Sequence, residues 1–380
     1  MTSLRGALVL TGLLVATSAG AAAPMRVLLG EGFPVVDVAA GELVTVLDAG
    51  TRRGLFGIPG GRVIRVVPAE AGFDVTWGPG RGERRRVAMA GVRLETRRGP
   101  LRVAARDYGG ALEVWRTREG LLLVNELPLE EYVAGTVRAE ASEQWPTEAL
   151  RAVAVVARTY AAFQQQRNVG KPYHVIAGSQ DQNFAGRVVE GSPAWEAARA
   201  TAGQVLTWQG RLFPAFYHSD SGGFTEPPQL IFSGEGIPPL PGVRDEFSLD
   251  SPNYAWAITL PLVVLGDRLR QGGLDIGEIR GLTVLERSPS FRVLRIAIEH
   301  SRGTTTLKGT EFRRLVGYDV LKSTLFVPAV RDGAVRFEGR GWGHGAGLSQ
   351  FGAKGMADRG YTHAEILAHY YPGTALATLK

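Results

Sequence analysis

The sequence predicts an α+β fold: mostly antiparallel β-strands, a helical pair around one glutamate, and short helices at the C-terminus. Three observations lead there. Short β-prone runs broken by Gly and Pro fill residues 25 to about 124, two stretches with helical periodicity follow Pro128 and Pro146, and a glycine-rich loop at 339–347 runs into a last helical pattern. A chain of 380 residues, 44% hydrophobic and 21% charged, has material for one or two substantial cores.

The elements are taken in chain order. Arg5, the apolar run from Leu8 to Ala16 and the small residues Ala19 to Ala23 have the pattern of a cleavable export signal over residues 1–22. That apolar run is shorter than the roughly 20 residues that span a bilayer, and no later segment is apolar enough for a membrane helix. The expectation is an exported protein of the periplasm, cell envelope or medium, with no transmembrane helix in its mature form. Residues 23–125 form a β-rich part. Its clearest strands are Met25 to Leu29, Arg62 to Val67 and Ala111 to Trp115, punctuated at Pro59-Gly60-Gly61, Gly78-Pro79-Gly80 and Tyr108-Gly109-Gly110. Arg81, Arg84, Arg85, Arg86, Arg93, Arg97, Arg98 and Arg102 make its second half basic, which reads first as a solvated surface.

A second unit, 126–376, opens with the helical pair. Pro128 suits a first helical turn, and Leu129, Tyr132, Val133, Thr136, Val137 and Glu140 share one face. The next helix begins near Pro146, carries Glu148 in its first turn, and buries a stripe of Leu150, Val153, Ala154, Ala157 and Ala161. Glu140 is the chemically interesting member. A carboxylate on an apolar face near a helix C-terminus is disfavoured as an anion both by burial and by the helix dipole. Both effects raise its pKa, as a general acid near neutral pH requires. Periodicity alone is equally satisfied by a structural pair with Arg138 or Arg151, or by exposure past a frayed helix end. Glu130, Glu131, Glu143 and Glu148 read as ordinary exposed or first-turn glutamates.

From Gln204 to Phe326 the pattern returns to strands, clearest at Gln204 to Trp208, Leu282 to Leu285 and Val293 to Ile298. After the Gly339–Gly347 loop, helices are expected from Leu348 to about Arg359 and from Ala364 to Tyr370. Gly341 to Ala346 fits G-x-G-x-x-A, but only 34 residues follow Ala346, too few for the further parallel strands of a dinucleotide domain. No G-x-S-x-G elbow accompanies His218/Ser219 or His344/Ser349. With no cysteine in the chain, thiolate nucleophiles, disulfides and Cys-ligated zinc are excluded. The net charge of +6 favours a polyanionic partner.

Several motifs resemble the SpoIID/LytB family in order. Leu127 to Gly135 resembles the start of its signature, which continues through Glu140, Trp145 to Ala152 and Val156 to Ala161. Tyr217-His218-Ser219-Asp220-Ser221-Gly222-Gly223 resembles a YHSxSGG element, and Lys322 to Phe326 another. Gly341 to Ala353 resembles GWGHGVGMSQ, and Tyr370-Tyr371-Pro372-Gly373-Thr374 closes a match over about residues 26–376. Ala141-Ser142 stands where the family usually has Met-Pro.

The resemblance implies a peptidoglycan lytic transglycosylase. It would cleave the MurNAc–GlcNAc linkage of glycan strands, chiefly those stripped of peptides, to 1,6-anhydro ends, with Glu140 catalytic. It also points to Arg158, Gln182, Tyr217, His218, Ser219, Ser221, His344, Ser349 and Gln350 as substrate-binding. Some members bind zinc through Cys and His; here Asp181 stands where a cysteine would, and His174 alone is not a site. No metal or cofactor is expected, and the partner is an anionic glycan rather than nucleic acid. The alternative is a non-catalytic wall-binding protein that enhances a cell-wall amidase.

Overall fold

A computed structural model describes residues 23–78, 82–232 and 234–379. The export-signal segment 1–22 and part of the Gly78-Pro79-Gly80 turn lie outside the described residues. The α+β expectation holds: strands pair mostly antiparallel, and helices fill the gaps between sheets.

Alternating apolar and polar residues build the N-terminal part as two facing sheets. The first has seven strands and centres on Met25–Phe33, Leu121–Leu127 and Ala111–Arg116; the second has six and centres on Val36–Ala40, Arg62–Ala69 and Gly72–Trp77. Val27, Val46, Leu112 and Val114 from one meet Val38, Ile64, Val66 and Val75 from the other in a shared core. The arginines on these strands are mostly paired. Arg84 and Arg86 flank Asp74, and Arg102 holds Asp107 at 2.6 Å. Arg93 joins Arg26 and Arg52 around Glu113, which is fully buried, and Glu126.

Seven helices occur among the described residues: α1 (Leu129–Glu140), α2 (Thr147–Arg167), α3 (Pro193–Ala200), α4 (Leu262–Gln271), α5 (Gly309–Val316), α6 (Gln350–Asp358) and α7 (His363–Tyr370). Pro128 sits at the cap of α1 rather than inside its first turn, with extended geometry. The stripe expected on α2 is too narrow, because every residue from Ala149 to Ala162 except Arg151 is buried. Two cores explain this. Leu150, Val153, Ala154 and Ala161 face the N-terminal sheets, whereas Ala152, Val155 and Val156 face Leu206, Phe213, Leu348, Met356, Ile366 and Tyr371. α2 is therefore the axle on which the C-terminal helices are mounted.

The region expected to be strands alone, Gln204 to Phe326, contains α4 and α5, and α3 precedes it. Residues 255–340 form two three-stranded antiparallel sheets around a separate core of Leu265, Leu269, Ile296, Phe312, Phe326 and Phe337. α4 and α5 pack into that core through Leu265, Leu269, Phe312, Leu315 and Val316. Between the Gln204–Thr207 strand and residue 254 the backbone is largely irregular.

Candidate active site

α1 ends at Glu140 because Ala141 turns to extended geometry, at φ −135° and ψ 149°. The side chain is half-buried. Its Oε1 accepts the backbone N–H of Asn183 at 2.7 Å, and Oε2 accepts Nε2 of Gln350 at 3.1 Å. The Tyr217 hydroxyl and the Asn183 side chain lie near enough to favour the carboxylate as well. Burial pushes the Glu140 carboxyl above its ordinary value, and these neutral donors pull it back only in part. Neither alternative arginine pair forms: Arg138 binds Glu143, and Arg151 binds Glu148 at 2.5 Å. Among the described residues no cation pairs with Glu140.

A buried relay sets the donors. The Tyr132 hydroxyl, inside α1, donates to Oε1 of Gln182 at 2.9 Å, fixing which end of that amide carries hydrogens. Nε2 of Gln182 then donates to the Tyr217 oxygen at 2.9 Å. The phenol proton of Tyr217 is thereby left free to point at Glu140. Next to this group a cavity of about 460 Å³ is lined by Ala139, Asn183, Phe184, Ala185, Ala177, Gly178 and Arg106.

The motifs around Tyr217 and Gln350 meet through a two-residue parallel ladder, Tyr217 opposite Leu348 and His218 opposite Ser349. Asp220 and Trp342 exchange backbone hydrogen bonds at 2.9 Å just beyond it. Gly347 makes the approach possible: its φ is +70°, and a Cβ there would lie 1.7 Å from the Phe216 carbonyl oxygen. Ser349 caps α6 by accepting the Gly352 N–H, which aims Gln350 at Glu140.

The candidate residues therefore divide. Gln182, Tyr217 and Gln350 gather with Glu140. Ser221 and Ser349 brace the turn instead: the Ser221 hydroxyl donates to Asp245 at 2.6 Å, and its N–H donates to the Ser349 oxygen at 3.2 Å. Ser219 accepts the Phe351 N–H through its carbonyl at 3.0 Å. The His218 and His344 rings lie 5.5 Å apart. Burial holds both imidazoles neutral, with His344 pushed down to about 3 by burial and the nearby Arg313 and Arg292 charges.

Arg158 requires a correction as a substrate-binding residue. Its side chain has no exposed surface. It donates to Glu130 at 2.9 Å and to the carbonyls of Ala198 and Gln204 at 2.9 and 3.2 Å, fastening α1, α2 and α3 together. Glu130 is consequently structural rather than an ordinary surface glutamate. Asp181, at the expected cysteine position, accepts the Tyr160 hydroxyl at 2.6 Å and the Ile176 N–H at 2.8 Å. His174 accepts the Arg26 N–H at 3.1 Å.

Asn183 is the contributor that side-chain reading misses. Its strongest bond to Glu140 comes from the backbone N–H, a group every non-proline residue has.

Residues 117–208 match the SpoIID family model, described as Stage II sporulation protein. Residues 250–347 match a domain of unknown function, DUF8618. An uncharacterised protein of Brachyspira hyodysenteriae is 28% identical over 268 residues, 70% of this chain and 71% of that one. Stage II sporulation protein D of Bacillus subtilis is 29% identical over 272 residues, 67% of this chain and 76% of that one. The Bacillus subtilis amidase enhancer is 26% identical over 294 residues, covering 64% of this chain and 40% of its own length. The stretch matched to the family model carries Glu140 with the Gln182–Asn183 segment that binds it, and the relatives extend the likeness over about two thirds of the chain: residues 117–208 carry a SpoIID domain.

Proposed function

We propose that this protein is an envelope enzyme that cleaves peptidoglycan glycan strands as a lytic transglycosylase, with Glu140 as its one catalytic carboxyl and residues 126–376 as its catalytic unit. The observation that carries this reading is a half-buried glutamate, raised by burial and held by neutral donors without a cation. Burial of that kind favours the protonated form, which is the form that can give up a proton. In the reaction, protonated Glu140 donates to the oxygen joining MurNAc C1 to GlcNAc C4. The C1–O bond breaks, and the GlcNAc end leaves as an alcohol. The Glu140 carboxylate then takes the proton of the muramic C6 hydroxyl as O6 bonds to C1. The product is a 1,6-anhydro sugar, water is not consumed, and the proton balance closes on Glu140. One carboxyl suffices because the nucleophile belongs to the substrate and is already positioned.

Tyr217 and Gln350 would steady the carboxylate between the two proton transfers. Among the described residues no helix is long and apolar enough to cross a membrane, and an exported, envelope-associated protein fits the N-terminal pattern. Glu140→Gln tests the reading. Release of anhydro-sugar products from amidase-treated peptidoglycan is expected to fall by at least ~10²–10⁴-fold while the protein stays folded. Turnover retained by this variant would remove Glu140 from the chemistry.

The likeness to an amidase enhancer favours a second reading, a non-catalytic wall-binding partner of a cell-wall amidase. Under it, the purified protein sediments with sacculi, stimulates an added amidase and releases no sugar, and Glu140→Gln changes nothing.

A further inference from the structure

A cavity of about 380 Å³ lies between α5 and the aromatic pair Phe232 and His344. The two rings meet edge to face at 5.2 Å. Arg313, Arg314, Tyr318 and Thr324 complete the wall, with Glu311 at its edge. Arg313 is 9% exposed, and two of its donors are committed: Nε bonds the Leu321 carbonyl and Nη2 the Lys322 carbonyl, each at 2.7 Å. Among the described residues Nη1 has no hydrogen-bond partner and no carboxylate lies within ion-pair distance of the guanidinium. The charged or titratable neighbours it feels most are the Tyr318 phenol, whose ring lies 4.6 Å beneath it, and another guanidinium, Arg292. Arg292 is itself buried, with Nε and Nη1 unpartnered.

A buried cation without an anion is costly to keep, and it is stabilised when an anion arrives. With one acidic and two basic side chains on the wall, the cavity carries an excess positive charge. Its aromatic faces, Phe232 and Tyr318, are 38% and 52% exposed. An unsatisfied guanidinium donor beside exposed rings suits a sugar bearing a carboxylate: the ring's C–H face packs on the aromatic, and the carboxylate accepts from Arg313. His344, in the cavity wall, packs edge to face on Phe216, next in sequence to Tyr217.

We propose that this cavity is the subsite that takes the lactyl carboxylate of a muramic residue, with Arg313 as its binding group and Tyr318 and Phe232 as its sugar platform. The proposal rests on the glycan reading of the Glu140 site, so it is tested by binding and not by turnover. Full-length Glu140→Gln protein is titrated calorimetrically with peptide-free MurNAc-GlcNAc oligomers, and with chito-oligosaccharides of equal length that lack the carboxylate. Preference for the muramic oligomer is expected. Adding Arg313→Gln is expected to abolish that preference, weakening the muramic oligomer by about 10–100-fold and the chito-oligosaccharide little. Adding Arg313→Lys should restore part of it, and adding Tyr318→Ala, at an exposed position, should weaken both ligands. Equal affinity for the two oligomers in the Glu140→Gln protein would overturn the proposal. So would a preference that survives Arg313→Gln. If Arg313→Gln fails to fold, Arg313→Lys decides by the same comparison: a reduced preference is expected, and an unchanged one overturns the proposal. A wild-type protein that binds the muramic oligomer with this preference yet never cleaves it contradicts the proposed reaction and leaves the subsite standing.

Discussion

Gln350→Leu isolates the electrostatic part of the account. Gln350 is 4% exposed and opens α6, so leucine preserves most of its packing and removes one donor to Oε2 of Glu140. A hydrogen bond to a charged group contributes ~1.5–3 kcal/mol. At about 1.4 kcal/mol per pKa unit, that corresponds to roughly one to two units. The 3.1 Å length and the partial exposure of the carboxyl put the effect at the lower end, near one unit. Loss of the donor disfavours the carboxylate, so the pKa of Glu140 rises further. Since the proposed step needs the protonated form in the free enzyme, the alkaline limb of kcat/KM should move to higher pH by about one unit. The Asn183 N–H at 2.7 Å remains, so the shift stays partial. The assay is initial-rate release of anhydro sugar from peptide-free glycan between pH 4 and 9. An unmoved alkaline limb, or one moved downward, would refute the reasoning about Glu140.

Four further outcomes follow from the same contacts. Arg158→Met should lower stability by about 3–5 kcal/mol in urea unfolding, because it strands Glu130 and three carbonyls rather than emptying a binding site. Gly347→Ala should cost more than about 2 kcal/mol and loosen the Tyr217–Leu348 ladder, since a Cβ at φ +70° meets the Phe216 oxygen. Its melting temperature and activity should fall together. His344 has a folded pKa of about 3, below the ordinary 6.5, so the unfolded chain binds the extra proton between those values and stability falls as pH drops through that window. His344→Asn should flatten that part of the stability-pH curve. Glu140 works in the opposite direction, because its folded pKa is raised: its contribution is complete below the unfolded value and is lost as pH rises through the folded one. Glu140→Gln should therefore gain in melting temperature relative to wild type as pH increases.

What could be read from the sequence was whatever is written in periodicity. The apolar face ending at Glu140 left burial, an arginine pair and exposure all open, and the structure half-buries the carboxyl with no arginine beside it; alternating residues marked Arg62–Ala69 and Val293–His300. α5 was missed although Phe312, Leu315 and Val316 have helical spacing, because flanking strands dominated the segment. α3 also carried its signal: Ser192 caps it, and Pro193 follows. Other features leave no local trace. α2 is buried on two faces because two cores claim it, which no single stripe discloses. Arg158 shares a motif with residues near the site yet points into the helix junction. The Asn183 N–H acts through the backbone, and the unpaired Nη1 of Arg313 depends on carbonyls eight and nine residues away.

The central claim is that the bond to MurNAc C1 is broken by the substrate's own C6 hydroxyl, with one glutamate moving the proton. Incubating the purified protein with peptide-free glycan in ¹⁸O-labelled water and weighing the released fragments tests this most directly. The account predicts fragments one water lighter than hydrolysis products, free of label, and absent with Glu140→Gln. Labelled reducing ends, or no fragments from the wild-type protein, would contradict it.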